Sequence, residues 1–270
     1  MDIKTKSHRC SFLLPLAAFS ALLGLQSVSA QAVNALDDFD SYSVGNIPAG
    51  AFPSTSPGGV LWESIPTAGF IDIVAAPAGR TGNVLQVSDT GTTSGTLPSV
   101  TFDIPTYDGS EPWEISLDFR VETPSSANFT GAGVLRLLGN SGIIGSISTF
   151  RNDSTTDFNV FTHAFDSGNS NSFGAGLQNL TWYTLTLIGD DTAGTISASI
   201  DGGAASVLTY AGTSTTLTGF QLGDQSDSSL TNSVMLFDDF SFAAIPEPAS
   251  YATIFSVVTF ALVGLRRRRR

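Results

Sequence analysis

The run Trp113-Glu114-Ile115-Ser116-Leu117-Asp118-Phe119-Arg120-Val121-Glu122 alternates apolar and polar side chains without a break. Successive side chains on an extended strand point to opposite faces, so this run buries Trp113, Ile115, Leu117, Phe119 and Val121 together only as a strand with one wet face. A helix would scatter them around its circumference. Shorter runs of the same kind recur at 83–88, 99–104, 133–138, 143–150, 158–163, 182–188, 195–200, 218–222 and 234–242, separated by Gly, Asn, Asp or Pro. No segment between them offers a long amphipathic helix. Many short strands without interleaved helices predict an all-β fold, an antiparallel sandwich or jelly roll. A body of about 215 residues buries roughly 70% of its unfolded surface, enough for one core without disulfides.

The two ends read as transport signals. In residues 1–30, Lys4, Lys6 and Arg9 precede the apolar stretch Phe12 to Leu25, and Val28-Ser29-Ala30 supplies small residues for cleavage, the pattern of a signal peptide. Ala249 to Leu265 contains no charge, and a helix of that length spans about 25 Å, just under a bilayer core. Arg266, Arg267, Arg268, Arg269 and Arg270 close it. Five arginines do not cross hydrocarbon cheaply, which orients this transmembrane helix with its end in the cytoplasm and the body outside the inner membrane.

With Pro246-Glu247-Pro248 before the apolar helix and arginines after it, residues 246–270 resemble the PEP-CTERM sorting tail of Gram-negative bacteria. The resemblance implies that the chain is anchored transiently in the inner membrane. An exosortase then reads Pro246, Glu247 and Pro248, removes the tail and passes the product to the cell surface or extracellular matrix. The expected organisation is a signal peptide (1–30), a β-sandwich domain (31–245) and a sorting tail (246–270).

Between the signals, four basic residues (Arg80, Arg120, Arg136, Arg151) face 22 acidic ones, a net charge of −18 without a lysine. No basic face is available for nucleic acid. An acidic polysaccharide would be repelled except through local contacts or bridging cations, whereas neutral glycans meet no such barrier. The 41% hydrophobic content excludes a disordered chain. The single Cys10 lies in the signal, and His163 is the one histidine of the body, too few for a zinc site or a cysteine nucleophile.

A second resemblance covers most of residues 36–243. Trp182 to Ile188, a turn through Gly189-Asp190-Asp191-Thr192-Ala193-Gly194, and Thr195 to Gly203 read as a hairpin followed by a glycine turn. With Asp38-Phe39-Asp40-Ser41-Tyr42 and Phe237-Asp238-Asp239-Phe240-Ser241-Phe242, this pattern is similar to concanavalin A-like and laminin-G-like sandwiches. The resemblance implies that the first and last strands pair near one edge and bring the two acidic clusters together. Asp37, Asp38, Asp40, Asp238 and Asp239 then become candidate ligands for a structural calcium ion, which takes six to eight oxygens. Equally, such aspartates serve as turn acceptors.

The related glucanases carry Glu-x-Asp-x-x-Glu or a form one residue longer on one strand, and neither occurs here. Glu114, Asp118 and Glu122 share a face but sit four apart, with Arg120 between them as a charge partner, so a solvated face explains them better. A non-enzymatic role, glycan binding or structural, is the expectation, with a glycoside hydrolase or polysaccharide lyase as the alternative. Tyr107, in the turn Pro105-Thr106-Tyr107-Asp108-Gly109, and Trp182, opposite in phase to Leu185 and Leu187, are candidates for stacking on a sugar, with ordinary packing as the competing explanation.

Overall fold

The computed structural model describes residues 34–46, 62–63, 71–88, 99–104, 107, 109, 111–123, 131–140, 142–151, 157–164, 169–209, 216–223 and 234–245. The chain divides into two compact units, Met1–Gln31 and Ala32–Arg270, of which the first lies outside the described residues. The expected signal peptide and sorting tail, Pro246 to Arg270, lie outside them too. Among the described residues no helix is long and apolar enough to cross a membrane.

The described residues form strands and no helix: β1 Asn34–Asp37, β2 Gly45–Asn46, β3 Trp62–Glu63, β4 Ile71–Ala75, β5 Asn83–Ser88, β6 Ser99–Asp103, β7 Trp113–Thr123, β8 Gly131–Gly139, β9 Gly142–Arg151, β10 Asp157–Ala164, β11 Asn169–Gln178, β12 Trp182–Asp190, β13 Thr195–Ile200, β14 Ser206–Thr209, β15 Leu217–Gly223 and β16 Val234–Ala244. One sheet runs β14-β13-β12-β7-β16-β5-β4-β2, with β1 also on β16; the other runs β11-β10-β9-β8-β15-β6-β3. Neighbours pair antiparallel throughout, as in β7 with β12 and β8 with β9. The expected all-β antiparallel sandwich is what the chain forms.

Alternation decides which face is core. On β7, Trp113, Ile115, Leu117, Phe119 and Val121 are buried, while Glu114, Ser116, Arg120 and Glu122 keep partial exposure on the other side. Between the sheets, Phe102 and Phe220 of the second meet Phe240 and Phe242 of the first with ring centroids 5.1–5.8 Å apart. Phe119, Phe158 and Tyr183 form a second aromatic group nearby. Rings of this size bury large apolar areas at tilted and edge-to-face geometries and supply much of the folding free energy. Trp113 needs space across the strand: a Cβ at Gly189, its partner on β12, would stand 2.0 Å from the indole. Its Nε1 donates to buried Asp191 (3.1 Å), whose other oxygen accepts from Leu217 N of the opposite sheet (2.9 Å).

The first and last strands pair, Asn34 opposite Ala243 and Asp37 opposite Phe240, and β16 itself is a central strand. β16 lies between β7 on one side and, on the other, β5 along Val234–Phe237 and β1 along Phe240–Ala243. Its apolar residues are buried almost end to end, which suits a central strand better than an edge.

Candidate functional site

Where β16 passes from one short neighbour to the other, its backbone is irregular. The pairing with β7 shifts between Asp238 and Ser241, and Asp239 sits at φ 47° in the left-handed region that Asp tolerates better than most residues. This bulge puts two adjacent carboxylates, Asp238 buried and Asp239 exposed, in the middle of a sheet.

The charge is met by a loop. Residues 76–82 close between β4 and β5 through Ala76 N to Gly82 O (2.9 Å) and Arg80 N to Pro77 O (3.2 Å). Gly82 has φ +89°, and a Cβ there would fall 1.8 Å from Asp40 Oδ1, so only glycine allows this approach. Asp40 Oδ1 accepts instead from Asn83 N at 2.7 Å. The loop carries Arg80 onto the outer face of the first sheet. Its Nη1 donates to Asp238 Oδ2 (2.7 Å) and Asp239 Oδ2 (3.1 Å), and its Nη2 donates to Asp118 Oδ2 of β7. Its Cζ lies 4.2 Å from the Trp182 ring centroid, a cation–π distance. Thr184 Oγ1 donates to the other oxygen of Asp118 at 2.5 Å.

Burial alone would lower the Arg80 pKa, but its hydrogen bonds to Asp118 and Asp238, with their charges, hold it above the ordinary value. Burial pushes the Asp238 carboxyl up; Arg80 and the Asp239 N–H pull it back, the Asp239 charge pushes again, and the result stays above the usual carboxylate range. Above this network opens a cleft of about 600 Å³ lined by Asp38, Asp40, Gly79, Arg80, Thr81, Asp238 and Asp239.

The fold therefore gathers four of the five aspartates expected together, and directs the fifth elsewhere. Asp37 is buried: its Oδ1 accepts from Phe39 N (2.9 Å) and its Oδ2 from Tyr42 Oη (2.5 Å), so it braces the turn into the cleft and does not line it. Asp38 and Asp40 are exposed at the rim. Among the described residues no group of three His, Cys, Asp or Glu side chains is arranged around a metal position.

Trp182 lies on the outer face, as its phase predicts, but is half-buried, and Arg80 covers one face of its ring. Its indole Nε1 is buried and has no acceptor among the described residues. Tyr107 is corrected: it is buried, packs edge-on against Phe242 at 5.8 Å and donates its hydroxyl to Glu111 O at 2.5 Å, so its ring belongs to the aromatic core. Arg120 pairs with Glu122 (2.5 Å), while Asp118 takes its counter-charge from Arg80. Arg80 was the residue that sequence reasoning missed. Its signal was available in one respect, since a lone basic residue after Pro77-Ala78-Gly79 in so acidic a body needs a partner.

No family model and no curated relative matches the chain. Solved structures share its fold. A chain named sialidase matches with TM-score 0.53 at 12% identity over 78% of this chain and 18% of its own. A chain titled for botulinum neurotoxin type C and its dependence on two ganglioside molecules matches with TM-score 0.53 at 14% identity over 83% and 50%. An alginate lyase from Pseudomonas aeruginosa matches with TM-score 0.49 at 9% identity over 61% and 83%. The chain thus spans about a fifth of the sialidase and half of the neurotoxin chain. The expectation of a non-enzymatic role is corrected by these matches: the fold occurs in a chain named as an enzyme, and the missing glucanase motif excludes one catalytic arrangement only.

Proposed function

We propose that residues 31–245 form a concanavalin A-like sandwich that engages glycan outside the inner membrane, with the cleft of Asp38, Asp40, Asp239 and Arg80 as its contact surface. The cleft carries this reading. Sugar hydroxyls both donate and accept; exposed carboxylates supply acceptors, and a guanidinium braced by Asp118, Asp238 and Trp182 supplies a donor already held in place. Bracing matters because a fixed donor loses little freedom when a ligand arrives. A ganglioside-dependent toxin chain with the same fold supports the assignment. A glycan array probed with the wild-type chain and Asp40→Ala tests it: binding of neutral glycans, weakened in the variant, is expected. Wild-type signal at background throughout would overturn it and leave a structural matrix component.

Polysaccharide cleavage is the second reading, favoured by one observation. Asp238 lines the cleft with Asp38, Asp40 and Asp239, its carboxyl pushed up by burial, and a raised carboxyl among other carboxyl groups is what a general acid needs in a glycan-cleaving site. Release of reducing or unsaturated ends from a polysaccharide panel, abolished in Asp238→Asn, is its expected sign.

Export supplies the setting. The signal peptide, the Pro246-Glu247-Pro248 element, the apolar helix and the terminal arginines assign an exosortase as processing partner, the inner membrane as a transient anchor and the cell surface or extracellular polysaccharide matrix as destination. Cell fractionation tests this: a product lacking the tail outside the inner membrane is expected, and full-length chain in the cytosol would refute it.

A further inference from the structure

The outer face of the second sheet carries an arginine under different conditions. Register aligns Thr101, Gln221, Arg136 and Ser146 across β6, β15, β8 and β9. Ser146 is buried, while Thr101, Gln221 and Arg136 retain partial exposure. Arg136 Nη1 donates to the amide oxygen of Gln221 at 3.1 Å, and its buried Nε has no acceptor among the described residues. Arg80 and Arg120 both reach carboxylates; among the described residues Arg136 reaches none. Burial lowers its pKa from the ordinary value, with no offsetting acid among the described residues. In a body with 22 acidic residues, this half-buried guanidinium meets a neutral amide and no acid among the described residues.

The geometry points to Arg136 as the recognition residue for a carboxylate-bearing glycan, a uronate polymer, laid across the outer face of the second sheet. The planar guanidinium matches a carboxylate in shape and charge, Gln221 holds one of its edges, and Thr101 stands in the same row for a sugar hydroxyl. An extended acidic peptide is a poorer fit, since peptide strands add at open sheet edges and β8 lies in the interior between β9 and β15. Nucleic acid demands several cations along its backbone, and this row has one. The body's negative charge would repel a polyanion at long range, so the contact has to be local, which is what a single desolvated arginine provides. The inference extends the glycan-binding reading to a second face, independent of the acidic cleft.

Calorimetry on the full-length chain separates the two faces. The probes are polygalacturonate, the same polymer with its carboxyls reduced to alcohols, polyglutamate, and a neutral glycan bound through the cleft. Polygalacturonate is expected to bind, with the reduced polymer and polyglutamate much weaker. Arg136→Gln should weaken it about tenfold, the value of one charge-assisted contact. Arg136→Lys, which keeps charge without the planar fork, should fall between. The neutral glycan should respond to Asp40→Ala and not to Arg136→Gln, so failure of the cleft reading and failure of this one look different. Arg136→Gln removes a charge that burial disfavours, so its thermal midpoint should be no lower than wild type. Equal binding of the carboxyl-reduced polymer, equal binding of polyglutamate, or undiminished binding by a folded Arg136→Gln would overturn the assignment.

Discussion

Arg80 and Arg136 stand on the outer faces of opposite sheets, and the same side chain meets two different fates. Arg80 is surrounded by Asp118, Asp238 and Asp239 and lies against Trp182, so its charge belongs to the fold. Among the described residues, Arg136 has one amide oxygen and no acid. Removing a charge from water is unfavourable whichever face it occupies; the difference lies in who supplies the compensation. On the first sheet the chain does. On the second, none of the described residues brings an acid to it.

The largest effect should come from taking the guanidinium out of its acidic setting. Arg80→Ala leaves Asp118 and Asp238 without their counter-charge, and a loss of about 3 kcal/mol in urea denaturation is expected. An unchanged midpoint would show that these carboxylates are satisfied without Arg80 and would erase the contrast with Arg136. Gly82→Ala attacks the same network through its scaffold: a Cβ against Asp40 at positive φ should cost about 2 kcal/mol and loosen the loop that delivers Arg80.

A smaller effect depends on pH. Because the folded-state pKa of Asp238 is raised, the native protein holds this proton more tightly than the unfolded chain. The stability so contributed is complete below the unfolded value of about 3.9 and is lost as pH rises through the folded one. Denaturation curves across the acid range should therefore fall less steeply with rising pH in Asp238→Asn than in wild type. Parallel curves would mean that Arg80 holds Asp238 ionised throughout. Arg136→Gln, on the other face, should change stability by less than about 1 kcal/mol and in the favourable direction. The smallest change is expected from calcium followed by a chelator. Arg80 already balances the buried carboxylates, so exposed Asp38 and Asp40 should move the midpoint by under about 2 °C, and a larger shift would put a cation beside the guanidinium.

The interior of the sandwich was legible because its strands alternate strongly. β7, with five apolar residues on one face, and β13, buried at every second position, needed no information beyond their own sequence. The four strands at the open ends, β14, β2, β11 and β3, escaped the reading. Edge strands have one neighbour and less to bury, so β11 forms from Asn169-Ser170-Asn171-Ser172, a composition of turn residues, because pairing with β10 outweighs local preference. β4 was missed for a different reason: Ile71-Asp72-Ile73 alternates for only three residues before Val74 and Ala75. At the site, the meeting of the acidic clusters followed from the pairing of terminal strands. The inward turn of Asp37 and the arrival of Arg80 depend on a hydroxyl five residues away and on a loop closed by Gly82, neither of which leaves a periodic trace.

The insertion of β1 beside the last strand imposes an order of events. Asn34 and Ala243 are paired although about 200 residues of chain separate them, and the stretch that accepts β1 is the last of the described strands. The amino-terminal segment must wait, without its partner, until β16 is available. Loss of β16 would strip the centre of one sheet as well as that early segment's docking place. Closure of this sheet thus ties two stretches that are far apart in the chain into one late, cooperative step.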